Sequence, residues 1–99
     1  MRMMLRARVN TAKGNEAVKN GTLPKVIGAF MERAKPEAAY FTLDNGERVG
    51  FFIFDMKDSS QMPSLGEEFF MELGADLQLT PVMNADDLKA GFEALAAQK

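Results

Sequence analysis

Cysteine, histidine and tryptophan are all missing from this chain. Without cysteine there is no disulfide framework, no thiol nucleophile and no thiolate metal ligand, and the composition suits a reducing cytoplasm. Without histidine the commonest general base near neutral pH is gone, together with the usual zinc sites. Chemistry is left to carboxylate, tyrosine, lysine, arginine and hydroxyl groups, so neither a metal nor another cofactor is expected. Long apolar runs are missing too. Nothing approaches the ~20 residues of a membrane span, and Met1-Arg-Met-Met-Leu-Arg-Ala-Arg8 is too interrupted for a signal peptide. The expectation is a cytoplasmic protein with no membrane partner. Excess positive charge is the last absence. Twelve basic residues face fourteen acidic ones, for a net charge of −2, which argues against a nucleic-acid partner held by phosphate contacts.

What is present is enough for one folded unit. Ninety-nine residues, 46% of them apolar and 26% charged, fit a single domain spanning 1–99. Residues 2–10 alternate, with Met3, Leu5, Ala7 and Val9 on one face and Arg2, Met4, Arg6 and Arg8 on the other, as in a strand with one buried face. A polar connection over Thr11–Gly14 and a short turn capped by Asn15 follow. Thr22 is placed as the N-cap of a helix whose Leu23, Val26, Ile27, Phe30, Met31 and Ala34 form one apolar stripe, ended by Pro36. Residues 38–43 read as a strand, and Asp44-Asn45-Gly46 reads as a hairpin turn. The run Val49–Met56 is apolar at both parities, which predicts a strand covered on both faces. Asp58, Ser59 or Ser60 caps a helix carrying Met62, Leu65, Phe69 and Leu73, with Gly74 at its C′ position. A strand over 75–80 and a last helix capped by Asn84, with Leu88, Phe92 and Leu95 on one side, complete the chain.

The element order is βαββαβ with an extra C-terminal helix, and the fold class is α+β. Right-handed crossovers turn that order into a ferredoxin-like sandwich: a four-stranded antiparallel sheet in the order 4-1-3-2, with both main helices on one face. The other face then carries Arg6, Arg8, Tyr40, Thr42 and Thr80 around two large apolar residues of the third strand, either Phe51 and Ile53 or Phe52 and Phe54. Such a face calls for a cover. A homodimer through the open sheet face supplies one, with the terminal helix packing across the partner.

Three stretches, Lys35-Pro-Glu-Ala-Ala-Tyr-Phe-Thr42, Phe54-Asp-Met-Lys-Asp-Ser-Ser-Gln-Met-Pro63 and Leu79-Thr-Pro-Val-Met-Asn-Ala-Asp-Asp-Leu88, resemble a family of short bacterial proteins without assigned activity in the dimeric α/β-barrel, ferredoxin-like superfamily. The resemblance spans nearly the whole chain. It implies that fold and that dimer, and it brings no catalytic residue. The superfamily includes haem enzymes whose axial ligand is histidine, a chemistry this chain has no residue to support.

Within that frame Arg6, Arg8 and Tyr40 are the candidate ligand-binding residues, with Thr42 and Thr80 as neutral partners. Guanidinium forks suit the carboxylate of a small acidic or aromatic ligand. The competing reading pairs the arginines with carboxylates of a partner subunit. Asp55 and Asp58 have the spacing of a hard-metal pair, but a strand end and a helix cap are ordinary places for aspartate. Arg48-Val-Gly-Phe-Phe-Ile-Phe54 resembles the third-strand octapeptide of RNA-recognition motifs, yet valine stands where glycine is needed. Two functions are expected, in this order. The first is a dimeric small-ligand-binding or scaffold module. The alternative is a cofactor-independent monooxygenase or isomerase acting on a small aromatic or lactone substrate, with Tyr40 and an aspartate as acid and base.

Overall fold

A computed structural model describes residues 1–98, so Lys99, the end of the single-domain reading, lies outside the described residues. The chain runs through β1 (Arg2–Val9), α1 (Thr11–Lys19), α2 (Thr22–Ala34), β2 (Ala38–Asp44) and β3 (Glu47–Asp55). A 3-10 turn (Ser59–Gln61), α3 (Met62–Leu73), β4 (Asp76–Pro81) and α4 (Ala85–Ala97) follow. The strands form one antiparallel sheet in the order β2-β3-β1-β4, which is 4-1-3-2 read from the opposite edge. None of the described helices is long and apolar enough to cross a membrane.

Alternation along β1 divides the molecule in two. Met3, Leu5, Ala7 and Val9 are buried against the helices, whereas Arg2, Met4, Arg6 and Arg8 are half-buried on the other side. The β1–β3 register places Leu5 opposite Phe52 and Met3 opposite Phe54. The helix side of β3 therefore carries Phe52 and Phe54, and Phe51 and Ile53 face away. Phe30 of α2 stands at the centre of the core, with ring centroids 4.8 Å from Phe52, 5.7 Å from Phe54 and 5.4 Å from Phe69. Burial of such a ring contributes roughly 1.5–3 kcal/mol, and edge-to-face contacts add to it.

Turn chemistry fixes the connections. Asn45 and Gly46 adopt φ of 52° and 76°, the left-handed pair a two-residue hairpin needs. The Asp58 carboxylate accepts from the Ser60 N–H at 3.0 Å, and Gln61 bonds back to the Asp58 N–H, a capping box that feeds into α3. Asn84 and Asp87 form the equivalent box at α4.

Two local expectations are corrected. Residues 11–14 are the start of α1 and not a polar connection; its cap is Asn10, whose side chain accepts from the Lys13 N–H at 2.8 Å, and not Asn15. The helix forms because its Gly14 and Ala17 are buried against the rest of the protein, and tertiary packing outweighs weak local propensity. Thr22 lies within the first turn of α2, and Gly21, at φ 81°, takes the cap position without a side-chain bond.

The fourth helix behaves unlike the others. No residue of α4 is buried, and Leu88, Phe92 and Leu95 present their apolar stripe to solvent. An ion pair between Asp87 and Arg2 ties it to the sheet. The described chain is correspondingly long, 57 × 29 × 18 Å.

Candidate functional site

Strand registers assemble the open face row by row. One row reads Thr42, Val49, Arg8, Asp76; the next Tyr40, Phe51, Arg6, Gln78; the third Ala38, Ile53, Met4, Thr80. All five candidate residues thus share one face. Arg6 and Arg8 sit on central β1, Tyr40 and Thr42 on the β2 edge, and Thr80 on the β4 edge. Three strand spacings, ~14 Å, separate the two edges, so Thr80 does not converge with Tyr40.

The arginines already have carboxylates. Arg8 donates to Asp44 Oδ2 at 2.5 Å, to the Asp44 carbonyl at 3.1 Å and to Glu47 Oε1 at 3.1 Å. Arg6 donates to Asp44 Oδ2 at 3.0 Å and to Gln78 Oε1 at 3.4 Å. Its guanidinium carbon lies 5.9 Å from the Phe51 ring centroid, within cation–π range. Both side chains start on β1 and cross β3 to reach the last residue of β2, so their stems run over Val49 and Phe51. That explains why Val49 is only 3% exposed on a face that no helix covers. Bonds from Asp44 first, and then Glu47, push the Arg8 pKa above its ordinary value. Two cations meet two anions from the chain's own hairpin, and both terminal nitrogens of Arg8 are engaged.

Tyr40 is exposed, and among the described residues neither its hydroxyl nor that of Thr80 has a hydrogen-bond partner. Thr42 donates to the neighbouring Leu43 carbonyl at 3.5 Å. Asp44 and Glu47 are the residues that sequence reasoning missed. Parity alone places Asp44 on the face of Tyr40 and Thr42, and the Asn45-Gly46 turn then sets Glu47 beside it.

Charge also closes the far end of the face. Arg2 pairs with Glu37 at 2.7 Å and with Asp87. Asp55 accepts from Lys57 at 2.8 Å and from the Met1 amino group at 2.7 Å; these two cations, Lys57 foremost, lower its pKa to about 2. The Ser60 hydroxyl, then the Ser60 N–H, lowers that of Asp58. One aspartate is therefore in ion pairs and the other in a helix cap. Among the described residues no cluster of three or more acidic side chains is placed to hold a metal ion. Between the charged ends lies a band of Ala38, Tyr40, Phe51, Ile53 and Met4.

Compared with protein-family models, with curated proteins and with solved structures, the chain finds no match.

Proposed function

We propose that the chain works as a homodimer joined through the open sheet faces, a dimeric α/β barrel of ferredoxin-like subunits that serves as a scaffold or small-ligand-binding module. The observation that carries this reading is the apolar band of half-buried Met4, Phe51 and Ile53 with exposed Tyr40, over which no described helix lies and which ion pairs frame at both ends. Four strands of about five residues offer a flat face of roughly 350 Å², against the ~800 Å² per partner of a specific interface. The sheet alone falls short. The exposed stripe of Leu88, Phe92 and Leu95 on α4 supplies further apolar area if each α4 lies across the other subunit.

The enzymatic alternative has less behind it. Tyr40 donates to no carboxylate among the described residues, and Asp44, the carboxylate nearest it along β2, is held by two arginines. Light scattering at micromolar concentration is expected to give near twice 10.9 kDa. Ile53→Lys, which sets a charge in the centre of the band, is expected to give a folded monomer. A wild-type chain that stays monomeric in that range would defeat the proposal.

A further inference from the structure

The helix side of the sheet is not fully closed. Beside the N-terminal half of α2 a crevice of about 310 Å³ opens between helix and sheet. Phe52 and Leu73, each 1% exposed, lie at its floor, and Ile27, Phe41, Leu43 and Arg48 line its rim. Phe41 and Leu43 point to the helix side of β2 yet remain exposed, because no helix extends over this edge strand. Gly50, between Arg48 and Phe52 on the same face, lets the two rings that line the crevice settle onto the strand: a Cβ there would come within 3.2 Å of the Phe52 ring and 3.3 Å of the Phe41 ring.

Arg48 separates this crevice from an ordinary packing gap. Arg2, Arg6, Arg8 and Arg33 each pair with a carboxylate, whereas Arg48 has none among the described residues. Its guanidinium donates to Asn15 Oδ1 at 3.1 Å. It lies over Gly14 of α1, where any Cβ would approach Nη1 to 2.5 Å. The cation is therefore held in place at the rim by α1 while its charge is left uncompensated.

We propose that this crevice binds a compact apolar monocarboxylate, an alkanoic or arylalkanoic acid, with its tail on Phe41, Leu43 and Phe52 and its carboxylate on Arg48. Pockets of about 300 Å³ and above, mostly apolar with a few placed polar groups, are the usual form of small-molecule sites. A single guanidinium matches one carboxylate in a bidentate pair. A dianion would bring a second charge to an apolar crevice with nothing to meet it. The site lies on the opposite side of the sheet from the open face and stands independently of the dimer.

The test uses the full chain with octanoate, 3-phenylpropionate and neutral 1-octanol as probes, followed by NMR and thermal shift. Both acids are expected to move the Ile27, Phe41 and Leu43 signals saturably and to raise the melting temperature. Arg48→Gln is expected to weaken the acids at least about tenfold, as loss of a charge-assisted pair implies, and to leave 1-octanol unchanged. Because Arg48 also braces α1, Leu43→Glu provides a second variant. Leu43 is 80% exposed and directly opposite Arg48 in the β2–β3 register, so its new carboxylate should neutralise the guanidinium without disturbing the core, and acid binding should be lost. The proposal is overturned by no saturable shifts, by shifts that map to Arg6 and Arg8, or by equal affinity in wild type and both variants. Shifts at the crevice that follow protein dilution and ignore ligand would likewise overturn it, assigning the crevice to contact between copies.

Discussion

Phe51 and Phe52 are neighbours in one strand, and they meet different solvents. Phe52 is 1% exposed inside an aromatic cluster with Phe30, Phe41 and Phe69. Phe51 lies half-exposed beneath the Arg6 guanidinium. At its centre the helix face of the sheet is packed by shape, through interlocking rings; the open face is held by charge, through two arginines strung across β3 to Asp44. The aromatic core of the helix face is complete in one copy of the chain. The open face, braced by charge at its ends and apolar between them, is the one we propose a second copy covers.

The largest expected effect separates the two phenylalanines. Phe52→Ala should cost about 3–5 kcal/mol, the range for emptying a packed core position, at every protein concentration in chemical denaturation. In the proposed dimer, Phe51→Ala should cost less in dilute protein and more as concentration rises, because there its loss falls on association. Equal, concentration-independent costs would erase the distinction between the faces.

A smaller effect is expected at the brace. Asp44→Ala removes the carboxylate shared by Arg6 and Arg8 and should lower stability by about 1 kcal/mol, as for a partly exposed ion-pair network. It should also loosen the cover over Val49, which slowed amide exchange in wild-type β3 and faster exchange in the variant would register. An unchanged exchange rate would mean that β3 is protected without the arginines.

The smallest effect is a pH dependence at the far end of the open face. The Asp55 pKa is lowered to about 2 by Lys57 and the Met1 amino group, below the ~3.9 of an unfolded aspartate. Its contribution is therefore fully present above pH ~4 and is lost as pH falls toward 2. The pair is exposed to water, so the loss is slight. Carbon-detected titration of the Asp55 carboxyl should give a midpoint near 2 in wild type and a higher one in Lys57→Ala. A midpoint near 4 in the wild type would remove Asp55 from the ion-pair frame.

Much of this was legible in residue order. Alternation in β1 assigned every one of its side chains to a face, and Asn45-Gly46, Asp58, Gly74 and Asn84 marked turns and caps through conformations that few other residues adopt cheaply. Helix α1 was not legible, because Thr-Ala-Lys-Gly-Asn has no apolar stripe and its Gly14 serves the passage of Arg48 overhead, a tertiary reason with no local signature. The candidate site was legible as a set of residues on one face, since parity is local. Its electrostatics were not. Whether Arg6 and Arg8 keep their charge for a guest depends on Asp44 and Glu47, thirty-six or more residues along the chain, and only the hairpin's register brings those carboxylates within reach.

The solvent-facing fourth helix has a consequence for kinetics as well as shape. At thirteen residues it sits at the length where an isolated helix in water is barely favoured over coil, and its capping box and the Asp87–Arg2 pair are its main supports. Helix–coil exchange in this arm is then thermodynamically linked to whatever binds it: contacts with a partner must offset the entropy lost on ordering, and each interconversion back to coil offers a route to release. In the proposed dimer, the capping box at Asn84 would then set part of the cost of docking this arm on a second copy.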